Sequence, residues 1–242
     1  SIAVAPSALS HARSPRSRRA TPIDLGLLNR RAPFGVVAAV LCGASTGSFF
    51  ALGPVYAAAH NFTTLQIATF MTCGALGGFA LTWPIGWLSD RTDRRRVVVA
   101  MAFIAAVALF AMQQLVPPGS PVWVYYICVA VFGGVVIPTY SVVAAHVNDL
   151  AAPHEFVAAS GGLLILQGAG AAIGPLVAGA TMDRFGPRGL VYAIVVAQAA
   201  MAGWGLYRVW ARSPAPAAAR EPFRVEPAMA VSTELETTRF RA

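Results

Sequence analysis

The sequence predicts an all-α polytopic membrane protein: a six-helix transmembrane bundle made of two inverted three-helix repeats. Three observations predict it. Apolar residues fill 57% of the 242 positions and charged residues only 12%, about half the charge that a soluble domain carries. The apolar residues gather into six runs of about 20 residues or more, each able to cross roughly 30 Å of hydrocarbon at about 1.5 Å per residue. The pattern G-x-x-x-D-R occurs twice, as GWLSDR (86–91) and GATMDR (179–184), at the ends of the second and fifth runs.

Residues 1–33 are rich in Ser, Ala, Pro and Arg. They lack the continuous apolar core of a signal peptide. Their Arg/Ser bias fits a transit peptide as well, but the favoured expectation is a disordered basic cytoplasmic linker. The spans are then expected near 34–59, 65–89, 97–116, 122–147, 157–181 and 187–209, within a bundle over 34–211. Short connections rich in turn residues join them: HNFTT, DRTDRRR, PPGSP, NDLAAPHE and DRFGPRG. Residues 212–242 turn to Pro, Ala, Glu and Arg and are expected to be a disordered cytoplasmic tail.

Charge sets the orientation. All 18 basic residues are arginine, giving a net charge of +8. They lie in the flanks and short loops rather than on one amphipathic face, which speaks against nucleic acid as a partner and for topology charges. With the amino terminus inside, 16 arginines are cytoplasmic and only Arg184 and Arg188 lie outside. The expected location is the plasma (inner) membrane, multi-pass, with both termini cytoplasmic. Cys42, Cys73 and Cys128 all fall inside apolar runs, where thiols act as small hydrophobes. Their odd number and spacing imply neither a disulfide framework nor a metal site.

The two G-x-x-x-D-R copies, and an echo between PVY (54–56) and PTY (138–140), suggest that spans one to three and four to six are repeats. Three crossings per repeat invert the second copy, an arrangement found in secondary transporters. Small residues four apart, Gly43/Gly47, Gly74/Gly78 and Gly170/Gly174, are expected to let helices approach closely. Pro54, Pro84, Pro138 and Pro175 each remove a helical hydrogen bond within a span.

The seam GWLSDRTDRRR holds the densest charge in the chain. Asp90 sits near the carboxyl end of its helix and Arg94, Arg95 and Arg96 at the amino end of the next, so each opposes its own helix dipole. They are better placed if they meet one another, or if Asp90 meets the amino end of another helix. Asp93 suits an N-cap. Arg95 and Arg96 read mainly as topology charges, and Asp90 and Arg94 as a conformational lock.

Gly86, Asp90, Arg91, Arg94 and Arg95 form G-x-x-x-D-R-x-x-R-R, which resembles the cytoplasmic-loop signature of the major facilitator superfamily (MFS), found after the second helix of each six-helix half. The usual pattern has glycine where this chain has Asp93. In the fifth span, Gly170, Gly174 and Pro175 resemble the family's G-x-x-x-G-P signature, found mainly in exporters. The resemblance spans about 34–210 and implies an MFS-type bundle and a secondary active, efflux-like transporter. Full members have twelve helices, so the chain is expected to be the carboxy-terminal half, either a fragment or one half of a split carrier. Its expected partners are the lipid bilayer, a small-molecule substrate and the missing amino-terminal half.

Apart from Arg188 and Arg208 at the two ends of the sixth run, no Asp, Glu, Lys or Arg lies inside an apolar segment, where such groups mark ion or proton paths. Any proton coupling is therefore expected in the other half, and the solute is expected to be neutral or amphiphilic. In the family the first and fourth helices of a half line the central cavity. The candidate lining residues are Thr46, Phe49 and Tyr56, on one face with Gly53, and Tyr126 and Tyr140, on one face with Gly133 and Ile137. Packing of these faces is the equal alternative. Gln113 and Gln114 are expected at the membrane interface. His146, Asp149, His154 and Glu155 could be grouped as metal ligands but read better as an ordinary loop, so no metal and no cofactor is expected. No nucleophile–base pair, P-loop or dinucleotide fingerprint occurs. The chain is not expected to be an enzyme; the alternatives are a non-transporting six-helix partner or scaffold and, further off, an intramembrane enzyme.

Overall fold

The computed structural model describes residues 25–117, 120–152 and 155–211, all of its regular structure helical. The helices are α1 (Leu25–Arg31), α2 (Pro33–Ala59), α3 (Thr64–Arg91), α4 (Arg94–Leu115), α5 (Val122–Asn148), α6 (Phe156–Phe185) and α7 (Arg188–Ala211). The six from α2 to α7 are long and apolar enough to span a membrane and correspond to the six expected spans. Where the apolar runs stop at a charge, the helices continue. Asp90, Arg91, Arg94–Arg96, Asp183 and Arg184 all lie within helices, because backbone hydrogen bonding does not end where hydropathy does.

One expectation is corrected at the amino end. Leu25–Arg31 is helical, although the sequence suggests a structureless linker up to residue 33. Leu28 is buried, and Arg31 pairs with Glu155 at the start of α6. Pro33 takes the first position of α2 and separates the two helices. Most of the expected linker and all of the expected tail lie outside the described residues.

Local chemistry sets the other helix starts. Thr63 and Gln66 form a capping box on α3: the Gln66 N–H donates to Thr63 Oγ1 (3.3 Å) and the Thr63 N–H to Gln66 Oε1 (2.8 Å). Asp93 caps α4 as expected, accepting from the Arg95 N–H at 3.0 Å.

The spans pack in a reciprocal pattern. α3 lies along α5, α6 lies along α2, α4 pairs with α7, and α2 and α5 meet at the centre. Glycines make both long contacts possible. At Gly43 and Gly170, on α2 and α6, an added Cβ would overlap the carbonyls of Gln167 and Val40. At Gly77 and Gly133, on α3 and α5, it would overlap those of Ala130 and Gly74. Such backbone-to-backbone approach is the use of small residues in membrane helices.

The two contacts superimpose residue by residue. The offset between the G-x-x-x-D-R copies, 93 residues from Gly86 to Gly179, carries Gly74, Gly77 and Gly78 onto Gln167, Gly170 and Ala171. An offset of 90 carries Val40, Gly43 and Gly47 onto Ala130, Gly133 and Ile137. The packing therefore supports the two-repeat reading but removes one of its motifs. The P-x-Y echo implies an offset of 84, from Pro54 to Pro138, which would put the first and fourth spans almost two turns out of register. That echo is a chance match.

Candidate functional site

The signature turn between α3 and α4 is a compact charge network. Arg94, the first residue of α4, stands between two acids. Its NH1 lies 3.0 Å from Asp90 Oδ1, and its Nε donates to Asp149 Oδ2 at 2.7 Å. Asp90 is in the last turn of α3 and Asp149 is the C-cap of α5. Each acid sits at the negative end of a helix dipole and the arginine at the positive end of a third, so the three unfavourable placements offset one another. The Arg94 side chain is 21% exposed against 66% for Asp90 and 57% for Asp149. Exposed pairs of this kind contribute about 0.2–1 kcal/mol each, enough to orient the arginine but not to hold a fold.

The other arginines of the turn are placed differently. Arg95 pairs with Asp93 at 3.3 Å. Burial pushes the Asp93 carboxyl up, but the backbone N–H and guanidinium of Arg95 together outweigh it and hold the group below the usual carboxylate range. The Arg91 guanidinium lies 3.9 Å above the Trp87 ring. A Cβ added at Gly86 would meet nothing within 4 Å, so no contact inside these six spans requires that glycine.

The fifth-span signature is packing within the bundle. Gly170 and Gly174 press on the α2 backbone at Val40 and Ala44. Pro175 lies one residue on, inside α6. The close approach expected of Gly43/Gly47, Gly74/Gly78 and Gly170/Gly174 is present at all six positions.

The expected cavity residues divide. Phe49 (4% exposed) and Tyr56 (2%) are buried in the bundle core and line no open surface. Phe49 packs against Phe132 and Phe70 with ring centroids 5.2 and 6.0 Å apart. The Tyr56 hydroxyl donates to Gln113 Oε1 at 3.3 Å. Gln113, two residues from the end of α4, is thus turned into the bundle and answers a buried phenol. Thr46 Oγ1 donates to the Cys42 carbonyl at 2.8 Å, which satisfies it within its own helix. Tyr126 and Tyr140 are half-buried, and the Tyr126 hydroxyl donates to the Gln66 carbonyl at 3.3 Å. The helical spacing found a real face of α2, but that face turns inward.

Asp149 is the partner of Arg94 that sequence reasoning missed. The dipole rule that singled out Asp90 applies equally to an acid closing the fourth span. Its suggested grouping with His146, His154 and Glu155 disperses: Asp149 goes to Arg94, Glu155 to Arg31, and His146 packs edge-on to Phe34 at 5.6 Å. His154 lies outside the described residues. No group of three metal-ligating side chains gathers among those described.

Comparison with known proteins agrees with this architecture. The uncharacterized MFS-type transporters YcaD of Salmonella paratyphi B, Salmonella newport and Salmonella heidelberg are each 24% identical to this chain over 173 residues. The match covers 70% of this chain and 43% of theirs, so the chain spans less than half the length of these relatives. The sequence model of the Major Facilitator Superfamily matches residues 34–239, nearly the whole of the chain beyond its amino-terminal segment. With six spans packed as two interlocked repeats and the signature turn between the second and third, the chain belongs to the Major Facilitator Superfamily.

Proposed function

We propose that these six spans form one half of a twelve-helix secondary transporter of the plasma membrane. It exports a small neutral or amphiphilic solute, and its Arg94 end faces the cytoplasm. One observation carries this reading. Gly86 and Gly179 occupy the same place in the two repeats, and both face open space, while the other glycines of α3, and Gly170 and Gly174 on α6, are consumed by internal contacts. A glycine kept free of side-chain neighbours, beside an acid as exposed as Asp90, suits the close approach of a second bundle. α3 and α6 are also the least buried spans. On the central helices, Val55 of α2 and Ile127 and Val131 of α5 are exposed. With the half-buried Tyr126 and Tyr140 they offer an apolar, phenol-bearing lining for the solute path.

In this reading Asp90 braces the two halves at the cytoplasmic side. Arg94 holds the carboxylate in position, and its exposed side remains available to the amino end of a helix in the other half. Alternating access then requires that contact to break and re-form. The test uses the full carrier containing these spans, reconstituted in vesicles and assayed with a panel of neutral and amphiphilic solutes. Asp90→Asn should insert normally, lose most flux and leave cytoplasmic-side positions more open to thiol reagents. A lock contributing about 1–3 kcal/mol shifts the conformational equilibrium about 5–150-fold. Asp93→Asn should do far less, because asparagine caps about as well. Equal losses in the two variants would reduce the turn to a topology signal. No saturable flux of any solute by the unmodified carrier would leave a non-transporting membrane partner.

A further inference from the structure

The arginines of the signature turn are all engaged but one. Arg91 lies on Trp87, Arg94 on two acids and Arg95 on Asp93, while Arg96 has no carboxylate partner among the described residues. Arg96 instead stands at the mouth of an apolar groove between α4 and α7, about 380 Å³ in volume, with Ala202, Gly203 and Leu206 on the α7 side and Phe103 at its inner end. From Arg96 to Phe103 the helix rises about 10 Å, which is most of one leaflet's share of a ~30 Å hydrocarbon core. A second apolar groove of about 510 Å³ begins at Phe103 and Ala202 and continues along the same two helices. Trp210, 90% exposed, lies seven residues beyond Gly203 on the same stripe of α7, at the level expected of an interfacial anchor.

We infer that the groove between α4 and α7 is a site for one anionic glycerophospholipid of the leaflet on the Arg96 side. Its phosphate pairs with the Arg96 guanidinium, and one acyl chain lies against Ala100, Phe103, Ala202 and Gly203. Charge selects the occupant. The groove is apolar except at its mouth, and the unpaired charge there is positive, matching a headgroup phosphate above a hydrocarbon tail. Gly203 makes room for the chain: a Cβ added there meets nothing within 4 Å in the protein, so its empty side belongs to the groove. The site is separate from the Asp90–Arg94–Asp149 network and from the open faces of α3 and α6.

The test measures lipid retention. The full chain, purified in detergent, is exchanged against equimolar phosphatidylglycerol and phosphatidylcholine of matched chains, and bound lipid is counted by native mass spectrometry. The expected result is one retained phosphatidylglycerol, preferred about fivefold over phosphatidylcholine, the effect of one arginine near a membrane surface. Arg96→Gln should abolish the preference. Gly203→Leu puts a side chain into the groove from a position where a Cβ meets nothing within 4 Å, so it should remove the bound lipid without lowering the unfolding midpoint. Equal retention of the two lipids by the unmodified chain would overturn the inference, as would unaltered phosphatidylglycerol retention in both variants. If Gly203→Leu instead dissolved a dimer that carries no lipid, the groove would be an interface between copies and the inference would fail.

Discussion

The two G-x-x-x-D-R copies occupy equivalent places in the repeats, yet they turn the chain by different physics. After Asp90 and Arg91 the turn is made by charge. Asp93 caps α4 and pairs with Arg95, and Arg94 bridges Asp90 to Asp149. After Asp183 and Arg184 it is made by glycine. Gly186 is the C-cap of α6, with φ +68° and ψ −162°, a conformation almost confined to glycine. Gly189 packs directly on the backbone of Thr181 and Met182, and Thr181 Oγ1 donates to the Gly189 carbonyl at 3.0 Å. Among the described residues, Asp183 and Arg184 form no ion pair. Asp93 and Gly186 are related by the same offset of 93 that relates the two signatures. The position that in this family's pattern is usually glycine is glycine in the second copy and a capping acid in the first. One repeat unit can therefore close its helix connection either by satisfying exposed amides and opposing charges or by steric fit; both versions leave the signature acid exposed, and only the charged one holds it against an arginine of the next helix.

This contrast is most open to attack at Gly189. A side chain there overlaps main-chain atoms of α6, which cannot step aside as a flexible side chain could. Gly189→Val should cost about 3 kcal/mol, read as a lower denaturant midpoint in detergent. Gly179→Val, where a Cβ meets nothing within 4 Å, should leave the midpoint unmoved. Similar midpoints for the two variants would mean that α6 and α7 are not held by this fit.

Exchanging the turn residues gives the next largest effect. Gly186→Asp forces a side chain into a strained backbone region and should cost about 2 kcal/mol. Asp93→Gly should cost only a few tenths, since glycine is a tolerable N-cap. Calorimetry or chemical unfolding of the pair distinguishes a strained turn from a capped one. A Gly186→Asp variant as stable as the parent would dissolve the distinction.

The smallest effect is the pH dependence of the charged turn. The Asp93 carboxyl is held below its ordinary range in the folded chain. Its stabilisation is therefore complete above the ordinary carboxylate value and is lost as pH falls through the lower, folded value. Asp93→Ala should lower stability by about 1 kcal/mol at neutral pH and flatten the acid side of the stability profile. A variant whose stability fell just as steeply below the carboxylate range would assign that slope to other acids.

Features that local rules govern are legible in the chain before it folds. Apolar length fixed six spans to within a few residues. The cap at Asp93 followed from the chemistry of one helix start, and the paired glycines followed from the spacing of small residues. One offset, from Gly86 to Gly179, gave the register of α3 on α6. The tertiary structure decided what those rules leave undirected. A helix that is apolar on every side carries no marker of which side is core, so the face bearing Phe49 and Tyr56 could be found but not aimed, and the structure buries it. Gln113 turned inward because a buried phenol 57 residues earlier in the chain needs an acceptor. Arg94 met Asp149 across 55 residues because reciprocal packing brings the end of α5 beside the start of α4. The segment before Pro33 became a helix only because the ends of α5 and α6 offer Leu28 and Arg31 somewhere to dock. These are contacts between distant segments, and the backbone approach that creates them is written in the glycines without saying which helix will come near.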